Sequence, residues 1–264
     1  MLTTRYVTGA PNWIDFGTPD IEGASTFYGG LFGWQFLSAG PEAGGYGMFR
    51  LGEKTVAGCM ALPEEQGDSA WSVYFQSPDA DATAKSVEQG GGSVLSEPMD
   101  VFDLGRMAVF SDPAGASFAT WQPRQNKGLD AVTDENTLCW AELYTAEPAA
   151  AVAFYGSVFG WESSEMPFAG GSYAMVKPSG GGDDAAFGGI VPLASEPTEA
   201  QTGAYWLPYF EVADCDAAVA KAQELGGKVR MAPMDMEGVG RFAKLADPYG
   251  ARFAVIKSAY PETA

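Results

Sequence analysis

The sequence predicts an α+β fold of four βαβββ modules forming two tandem domains, and three internal matches predict it. Phe27-Tyr28-Gly29-Gly30-Leu31-Phe32-Gly33-Trp34 returns as Phe154-Tyr155-Gly156-Ser157-Val158-Phe159-Gly160-Trp161, a shift of 127 residues. Trp71 to Asp100 is answered by Trp206 to Asp235 at a shift of 135, and Asp112-Pro113-Ala114-Gly115 by Asp247-Pro248-Tyr249-Gly250 at the same 135. The eight added residues therefore fall between Trp161 and Trp206, divided between the loop at 180–184 and the Ser195 to Thr202 stretch. A unit this long is a domain rather than a solenoid repeat. The domains are assigned to residues 1–125 and 137–264, with a polar linker at 126–136.

Each element has its own signal. Trp13 to Gly17 reads as a strand, and Thr18-Pro19-Asp20 caps a helix over Ile21 to Leu31. Phe27, Tyr28, Leu31 and Phe32 share one face of it, and Gly33 stops it. Strands follow at Trp34 to Leu37, Tyr46 to Leu51 and Thr55 to Leu62, the last two joined by the turn at Gly52-Glu53-Lys54. The second module runs from a strand at Trp71 to Gln76, through a helix over Asp81 to Gln89, to strands at Ser93 to Glu97, Arg106 to Ser111 and Ser117 to Gln122. Gly90-Gly91-Gly92 ends that helix, and Asp112-Pro113-Ala114-Gly115 turns between the last two strands. Cys139 to Lys257 repeats the order.

Composition removes several classes of partner. The chain has 264 residues, 34 acidic against 15 basic, no histidine and a net charge of −19. Phosphate backbones and anionic membranes need a basic surface that is missing here, so neither nucleic acid nor membrane is expected. Cys59, Cys139 and Cys215 are odd in number and without a CxxC spacing, which suits reduced thiols and a cytoplasmic location. The first residues, MLTTRYVTGAPNW, lack the apolar segment of a signal peptide. No GxSxG elbow, Walker sequence or GxGxxG opening a helix appears.

The strand followed by Asp-x-x-x-(small)-x-x-Phe-Tyr, then Leu/Val-Phe-Gly-Trp and a late Asp-Pro-x-Gly, resembles the glyoxalase/bleomycin-resistance/extradiol-dioxygenase (vicinal oxygen chelate) superfamily, and within it the two-domain glyoxalase-like "hydroxylase" type. The resemblance covers both repeats. It implies a cleft between curved sheets and a divalent metal held by His on the first strand of each module and Glu on the last. Carried over, those positions are Trp13, Ser72 and Ala119 in the first repeat and Trp140, Leu207 and Ala254 in the second. None is a metal ligand of the usual kind. The expectation is therefore no metal and no cofactor, with the metal-free drug-binding branch as the nearer analogue.

Strand alternation then nominates residues for the cleft. Asp15 and Glu142, each two residues after a Trp, are the candidate catalytic carboxylates; a carboxyl in an aromatic cleft can serve as general acid or base. The alternative is that they accept hydrogen bonds from backbone or from a tyrosine across the cleft. Trp13, Tyr74, Gln76, Trp121, Trp140, Tyr144, Tyr209 and Glu211 are the candidate ligand-binding residues, with ordinary sheet packing as the competing reading. Met99, Val101 and Phe102, matched by Met234, Met236 and Glu237, are read as an adaptable cap or a hydrophobic plug. Arg106 and Arg241 recur together, either to hold a ligand carboxylate or to pair with acids such as Asp103 or Asp112. Two functions follow. One is a metal-independent pocket for a small aromatic metabolite or antibiotic; the other is an isomerase, lyase, hydrolase or hydroxylase-like enzyme acting through Asp15 or Glu142. The expected assembly is a monomer, itself a pseudo-dimer of two domains, or a homodimer.

Overall fold

The structure, a computed structural model, describes residues 2–62, 69–168, 171–195 and 203–259. The first repeat runs β1 (Pro11–Thr18), α1 (Ile21–Phe32), β2 (Gln35–Ser38), β3 (Gly47–Leu51), β4 (Lys54–Ala61), β5 (Ala70–Gln76), α2 (Ala80–Gln89), β6 (Ser93–Val101), β7 (Gly105–Ser111) and β8 (Ser117–Pro123). The second runs β9 (Leu138–Thr145), α3 (Pro148–Phe159), β10 (Glu162–Phe168), β11 (Gly171–Lys177), β12 (Gly188–Pro192), β13 (Tyr205–Glu211), α4 (Cys215–Glu224), β14 (Lys228–Met236), β15 (Gly240–Ala246) and β16 (Arg252–Ser258). Four βαβββ modules are present. Each repeat forms an eight-stranded sheet, ordered β2-β3-β4-β1-β5-β8-β7-β6 and β10-β11-β12-β9-β13-β16-β15-β14. Of the lengthened connections, the loop at 180–184 is present, and residues 196–202 lie outside the described residues.

Local chemistry sets the helix ends. The Asp20 side chain accepts the Gly23 amide at 2.9 Å, and Asp79 and Asp214 cap α2 and α4 in the same way. Gly33 and Gly160 stand at φ +73° and +72°, the left-handed conformation that closes a helix and that a side chain resists. This is the structural reason for glycine in both Phe-Gly-Trp sequences. The first helix runs one residue past the predicted end, to Phe32. Strand β6 also runs past Glu97, to Val101, because Met99, Asp100 and Val101 pair with Met107, Arg106 and Gly105.

By packing, the chain divides into two compact units, and each draws on both repeats. One comprises Met1–Ile14, Ser72–Leu129 and Trp140–Leu207; the other Asp15–Trp71, Asp130–Cys139 and Pro208–Ala264. In the second unit, Phe27, Tyr28, Phe32 and Trp34 from the first repeat pack on Phe210 and Phe253 from the second, with centroid distances of 5.1 Å for Phe32–Phe210 and 5.8 Å for Tyr28–Phe253. In the first unit, Phe154, Tyr155, Phe159 and Trp161 meet Phe75 and Phe118 in the same manner, at 5.2 Å for Tyr155–Phe118 and 5.0 Å for Trp161–Phe75. The repeated Phe-Tyr and Phe-Gly-Trp motifs are thus core residues that bind a module of one repeat to a module of the other. Burying each large aromatic contributes about 1.5–3 kcal/mol.

The segment between the repeats is packed into the fold. Leu129 and Ala131 are buried, the Asp130 amide donates to the Thr55 carbonyl at 2.8 Å, and the Glu211 amide donates to the Thr137 carbonyl at 3.0 Å. Arg106 and Arg241 pair with acids other than the Asp103 and Asp112 expected. Arg106 holds Asp81 at 2.9 Å and Asp100 at 3.0 Å, while Arg241 holds Asp216 at 2.6 Å and Asp235 at 2.8 Å. The expected partners fail because Asp112 lies buried in its turn, whereas Asp100 is the β6 residue directly opposite Arg106. Met99, Phe102 and Met234 stand exposed, with Phe102 at φ +49° in the turn after β6. They cover no core.

Candidate functional site

Alternation on β1 is fixed by Phe16, whose ring lies 4.7–5.9 Å from those of Tyr28, Phe49 and Trp71 in the core. Trp13, Asp15 and Gly17 therefore leave the strand on the opposite face. On β9 the corresponding residues are Trp140, Glu142 and Tyr144.

In the first unit these residues form a connected group. The Tyr144 hydroxyl donates to Oε2 of Glu142 at 2.6 Å, and the Tyr173 hydroxyl donates to Oε1 at 2.9 Å. The Trp140 indole N–H donates to the Tyr173 oxygen at 2.9 Å, and Tyr205 stacks on Tyr144 with centroids 5.2 Å apart and planes 13° apart. Burial, and then the Glu142 charge, push the Tyr173 hydroxyl well above the usual phenol range. It therefore remains a proton donor throughout the physiological range. Glu142 is an oriented carboxylate whose two oxygens already accept hydroxyl donors.

The second unit holds a simpler version. The Tyr46 hydroxyl donates to Oδ2 of Asp15 at 3.2 Å. Tyr46 and Tyr173 are related by the 127-residue shift that relates Asp15 to Glu142. A glycine makes room in each case: Gly58 lies opposite Asp15 in the β1–β4 register and Gly189 opposite Glu142 in the β9–β12 register. A Cβ at Gly58 would collide with the Tyr46 hydroxyl, and one at Gly189 with the Tyr173 ring. Where the second repeat has Tyr144, the first has Gly17, and Leu62 lies over it. Nearby Cys59 is no nucleophile, since burial, with Asp15 and Asp247 adding to it, pushes its thiol up to about 12.

The remaining predicted residues are placed as follows. Tyr74 and Gln76 of β5 lie in register with Ala119 and Trp121 of β8. The Gln76 amide donates to the Tyr6 carbonyl at 3.3 Å and the Trp121 indole to the Asn126 carbonyl at 2.9 Å, so both polar groups are engaged by neighbouring chain. Tyr209 and Glu211 of β13 lie beside Ala254 and Ile256 of β16. Glu211 accepts the Ser258 amide at 2.9 Å and the Ser258 hydroxyl at 2.5 Å. A cavity of about 270 Å³ in the first unit lies away from all of these, between residues 2–10 and residues 178–187.

Sequence reasoning missed Tyr46, Tyr173, Gly58 and Gly189. Tyr46 and Tyr173 carried a usable signal, because the two tyrosines recur at the same 127-residue shift, Tyr46 just before β3 and Tyr173 within β11. It also missed Lys244, which is buried on β15 at 3% exposure. Its signal was a charge standing where the first repeat has Val109.

The metal implied by the resemblance does not fit these residues. Trp13 and Trp140 offer only N–H donors, Leu207, Ala119 and Ala254 offer nothing, and Ser72 alone is a poor ligand. Among the described residues no group of three His, Cys, Asp or Glu side chains comes together to hold a metal. What these positions do offer is ring faces, phenol and indole donors, and a fixed carboxylate.

Sequence comparison matches residues 10–120 and 137–255 to the Glyoxalase/Bleomycin resistance protein/Dioxygenase superfamily. The chain belongs to that superfamily, with one match per repeat. It is 39% identical over 261 residues to "Putative glyoxylase CFP32" of Mycobacterium tuberculosis, covering 97% of each chain. It is 38% identical over 284 residues to "Anthracycline biosynthesis protein DauV" of Streptomyces sp. (strain C5), covering 99% of this chain and 98% of the relative. Among solved structures it resembles 2,2',3-trihydroxybiphenyl 1,2-dioxygenase from Sphingomonas wittichii, with a TM-score of 0.64, 14% identity and coverage of 96% and 91%. It also resembles the Mn(II)-bound glyoxalase from Novosphingobium aromaticivorans, with a TM-score of 0.60, 16% identity and coverage of 96% and 86%. At these identities the structural likeness concerns the fold alone. No helix among the described residues is long and apolar enough to cross a membrane.

Proposed function

We propose that this chain is a metal-independent member of the superfamily that binds a small, planar aromatic metabolite or antibiotic. The observation that carries this reading is the Trp140–Tyr173–Glu142–Tyr144 group. On the strand where the family places its first metal ligand, the chain instead has an aromatic surface around one oriented carboxylate. Trp140 and Tyr173 are partly exposed and offer ring faces, with the indole and hydroxyl donors aligned in series on the Glu142 carboxylate. The two tyrosine donors hold the carboxylate in one orientation, which lowers the ordering cost of binding. The relatives named for anthracycline biosynthesis support a polycyclic aromatic ligand. Asp15 with Tyr46 forms the second, reduced copy, so binding should be unequal between the repeats.

An enzymatic reading is supported by the relatives named as glyoxylases, with Glu142 or Asp15 taking a proton from the bound molecule. The paired hydroxyl donors favour the anchoring role, since both carboxylate oxygens already accept hydrogen bonds within the fold. The test is tryptophan fluorescence quenching with a panel of aromatic polyketide-type compounds in a chelating buffer, followed by product analysis. Quenching that saturates, that weakens in Trp140→Ala and that leaves the compounds unchanged supports the binding protein. Conversion of a compound that stops in Glu142→Gln would replace this reading with the enzymatic one.

A further inference from the structure

Residues 2–10 and 129–137 are counterparts at the 127-residue shift, and each segment is anchored to its own unit in the same way. The Trp161 indole donates to the Gly9 carbonyl at 2.8 Å, and the Trp34 indole to the Asn136 carbonyl at 2.9 Å. The Gly9 amide donates to the Gln76 carbonyl at 2.8 Å, and the Asn136 amide to the Glu211 carbonyl at 2.7 Å. Leu2 and Leu129 are both buried. What lies beside the segment differs. In the second unit it closes on the β3–β4 turn: the Asp130 amide donates to the Thr55 carbonyl at 2.8 Å, the Thr55 amide donates to the Asp130 carboxylate at 2.9 Å, and Lys54 pairs with Asp134 at 3.1 Å. In the first unit Thr3 and Val7 stand where Asp130 and Asp134 make those contacts. There the β11–β12 connection, residues 178–187, replaces the short turn at Gly52 and Glu53, and the cavity of about 270 Å³ opens between it and residues 2–10.

The residues around the opening have changed with it. The closed copy buries Val132, whereas the open copy has Arg5 at that position, on the cavity wall. Acids outnumber bases by 34 to 15, and Arg106, Arg124 and Arg241 each hold an aspartate. The Arg5 guanidinium nevertheless makes no hydrogen bond or ion pair with any described residue. An apolar position has thus become a cation that faces a cavity. Leu2 and Phe187, both buried, supply the apolar part of the wall. Asp184 lies on the same wall, so a ligand that carried a second negative charge would be repelled.

We propose that this cavity is a binding site for a small monocarboxylate with an apolar body, its carboxylate on Arg5 and its body against Leu2 and Phe187. A guanidinium presents paired N–H donors in a planar fork that matches a carboxylate. The apolar wall selects against a compact, strongly hydrated anion such as phosphate, which would lose water there without gaining partners. The volume is close to the lower end for small-molecule sites, about 300–1,000 Å³, and so suits a short branched chain. The net charge of −19 repels anions at long range, which leaves Arg5 as the local source of attraction. Because the second unit closes the equivalent place over Val132, the chain should hold one such site. It lies apart from the Trp140–Glu142 group and does not depend on the aromatic-ligand reading.

The experiment is equilibrium dialysis of the full chain against radiolabelled isocaproate, with unlabelled isocaproamide, its neutral isostere, and glutarate, a dianion, as competitors. Isocaproate offers no ring to the aromatic group on β9, so its binding reports this cavity. The expected result is saturable uptake at one site per chain, with amide and dianion competing at least about tenfold more weakly than unlabelled isocaproate, the lower end for a hydrogen bond to a charged group. Arg5→Gln should weaken uptake by a similar factor, and Arg5→Lys should retain part of it. Arg5 is exposed, so both variants should fold, as circular dichroism will show. Arg5→Val, which installs the residue of the closed copy, carries the same comparison should the glutamine variant not fold. No saturable uptake by the parent, an amide or dianion that competes as well as the acid, or uptake that is unchanged without the guanidinium overturns the proposal and leaves the aromatic-ligand reading standing.

Discussion

The hydroxyl of Tyr28, on α1 of the first repeat, lies 3.2 Å from Oδ2 of Asp247, in the Asp-Pro-Tyr-Gly turn of the second. Tyr155 and Asp112 repeat the contact at 3.2 Å with the repeats exchanged. Each aspartate also accepts two backbone amides of its own turn: Tyr249 and Ala251 at 2.9 and 2.8 Å, and Ala114 and Ala116 at 2.9 Å each. A tryptophan completes each chain, Trp71 donating to Tyr28 at 3.1 Å and Trp206 to Tyr155 at 3.0 Å. The two most widely separated sequence motifs are thus one buried polar network, present twice.

Removing one hydroxyl should be costly because it leaves a buried carboxylate short of a donor. Tyr28→Phe and Tyr155→Phe should each lower stability by about 1.5–3 kcal/mol, the range for a hydrogen bond to a charged group. Urea unfolding followed by tryptophan fluorescence checks this. A midpoint within error of the parent for both variants would show that the contacts carry no net energy.

The same aspartates predict a pH dependence of defined sign. Burial is the leading influence on Asp112 and Asp247 and raises both above the ordinary 3.8, despite the hydrogen bonds that act the other way. With a folded value above the unfolded one, the folded state holds the proton more tightly across the interval between them. The stability of the parent relative to Asp247→Asn should therefore rise as pH falls through the raised folded value toward 3.8, and level off below it. Asp81, Asp100 and Asp216 titrate with the opposite sign, because hydrogen bonds from Arg106, Arg124 and Arg241 lower them. Comparing the two chains at each pH cancels those exposed groups. A difference that falls with acidification would contradict the burial argument.

The four modules, their order and nearly all strand positions were legible because duplication tests each local reading twice: a turn at Asp112-Pro113 is more credible when Asp247-Pro248 follows at the expected distance. The exchange of packing partners between repeats was not legible. Phe27 and Phe154 announce a buried helix face, but a helix pattern says nothing about which sheet receives it. The candidate site was half legible. Period-two alternation placed Asp15 and Glu142 opposite the core, whereas Tyr46 and Tyr173 reach them from strands two places away in each sheet, a distance that no short-range period encodes.

The glycines beside the carboxylates give a prediction about that site. Gly189→Ala should displace the Tyr173 ring from Glu142, because the new methyl would collide with that ring. Stability should fall by about 1–3 kcal/mol, as for other overpacked positions, and binding of any aromatic ligand should weaken with it. Tyr173→Phe is the control, keeping the ring and removing one donor to Glu142, at about 1.5–3 kcal/mol, the range for a hydrogen bond to a charged group. Gly189→Ala leaving stability at the parent's level would show that the close approach is not needed.

The cysteines offer a test that depends on burial alone. Cys59, Cys139 and Cys215 are all buried and free. Burial is the leading influence on each and raises all three thiols, Cys59 to about 12 and Cys215 to about 11, with Cys139 well above its ordinary value. The thiolate is the reacting species, so at a pH of about 8 the folded chain offers almost none of it and little access. A neutral alkylating reagent should therefore modify none of the three in the folded protein over the time in which it modifies all three in urea, as read by intact mass. Cys59 is the informative one, because Asp15 and Asp247 both oppose its ionisation. Asp15→Asn removes one of those charges and should speed Cys59 alkylation relative to the other two. Equal rates in parent and variant would place Asp15 too far from Cys59 to influence it, and would weaken the account of Asp15 as a charged group on the face of β1.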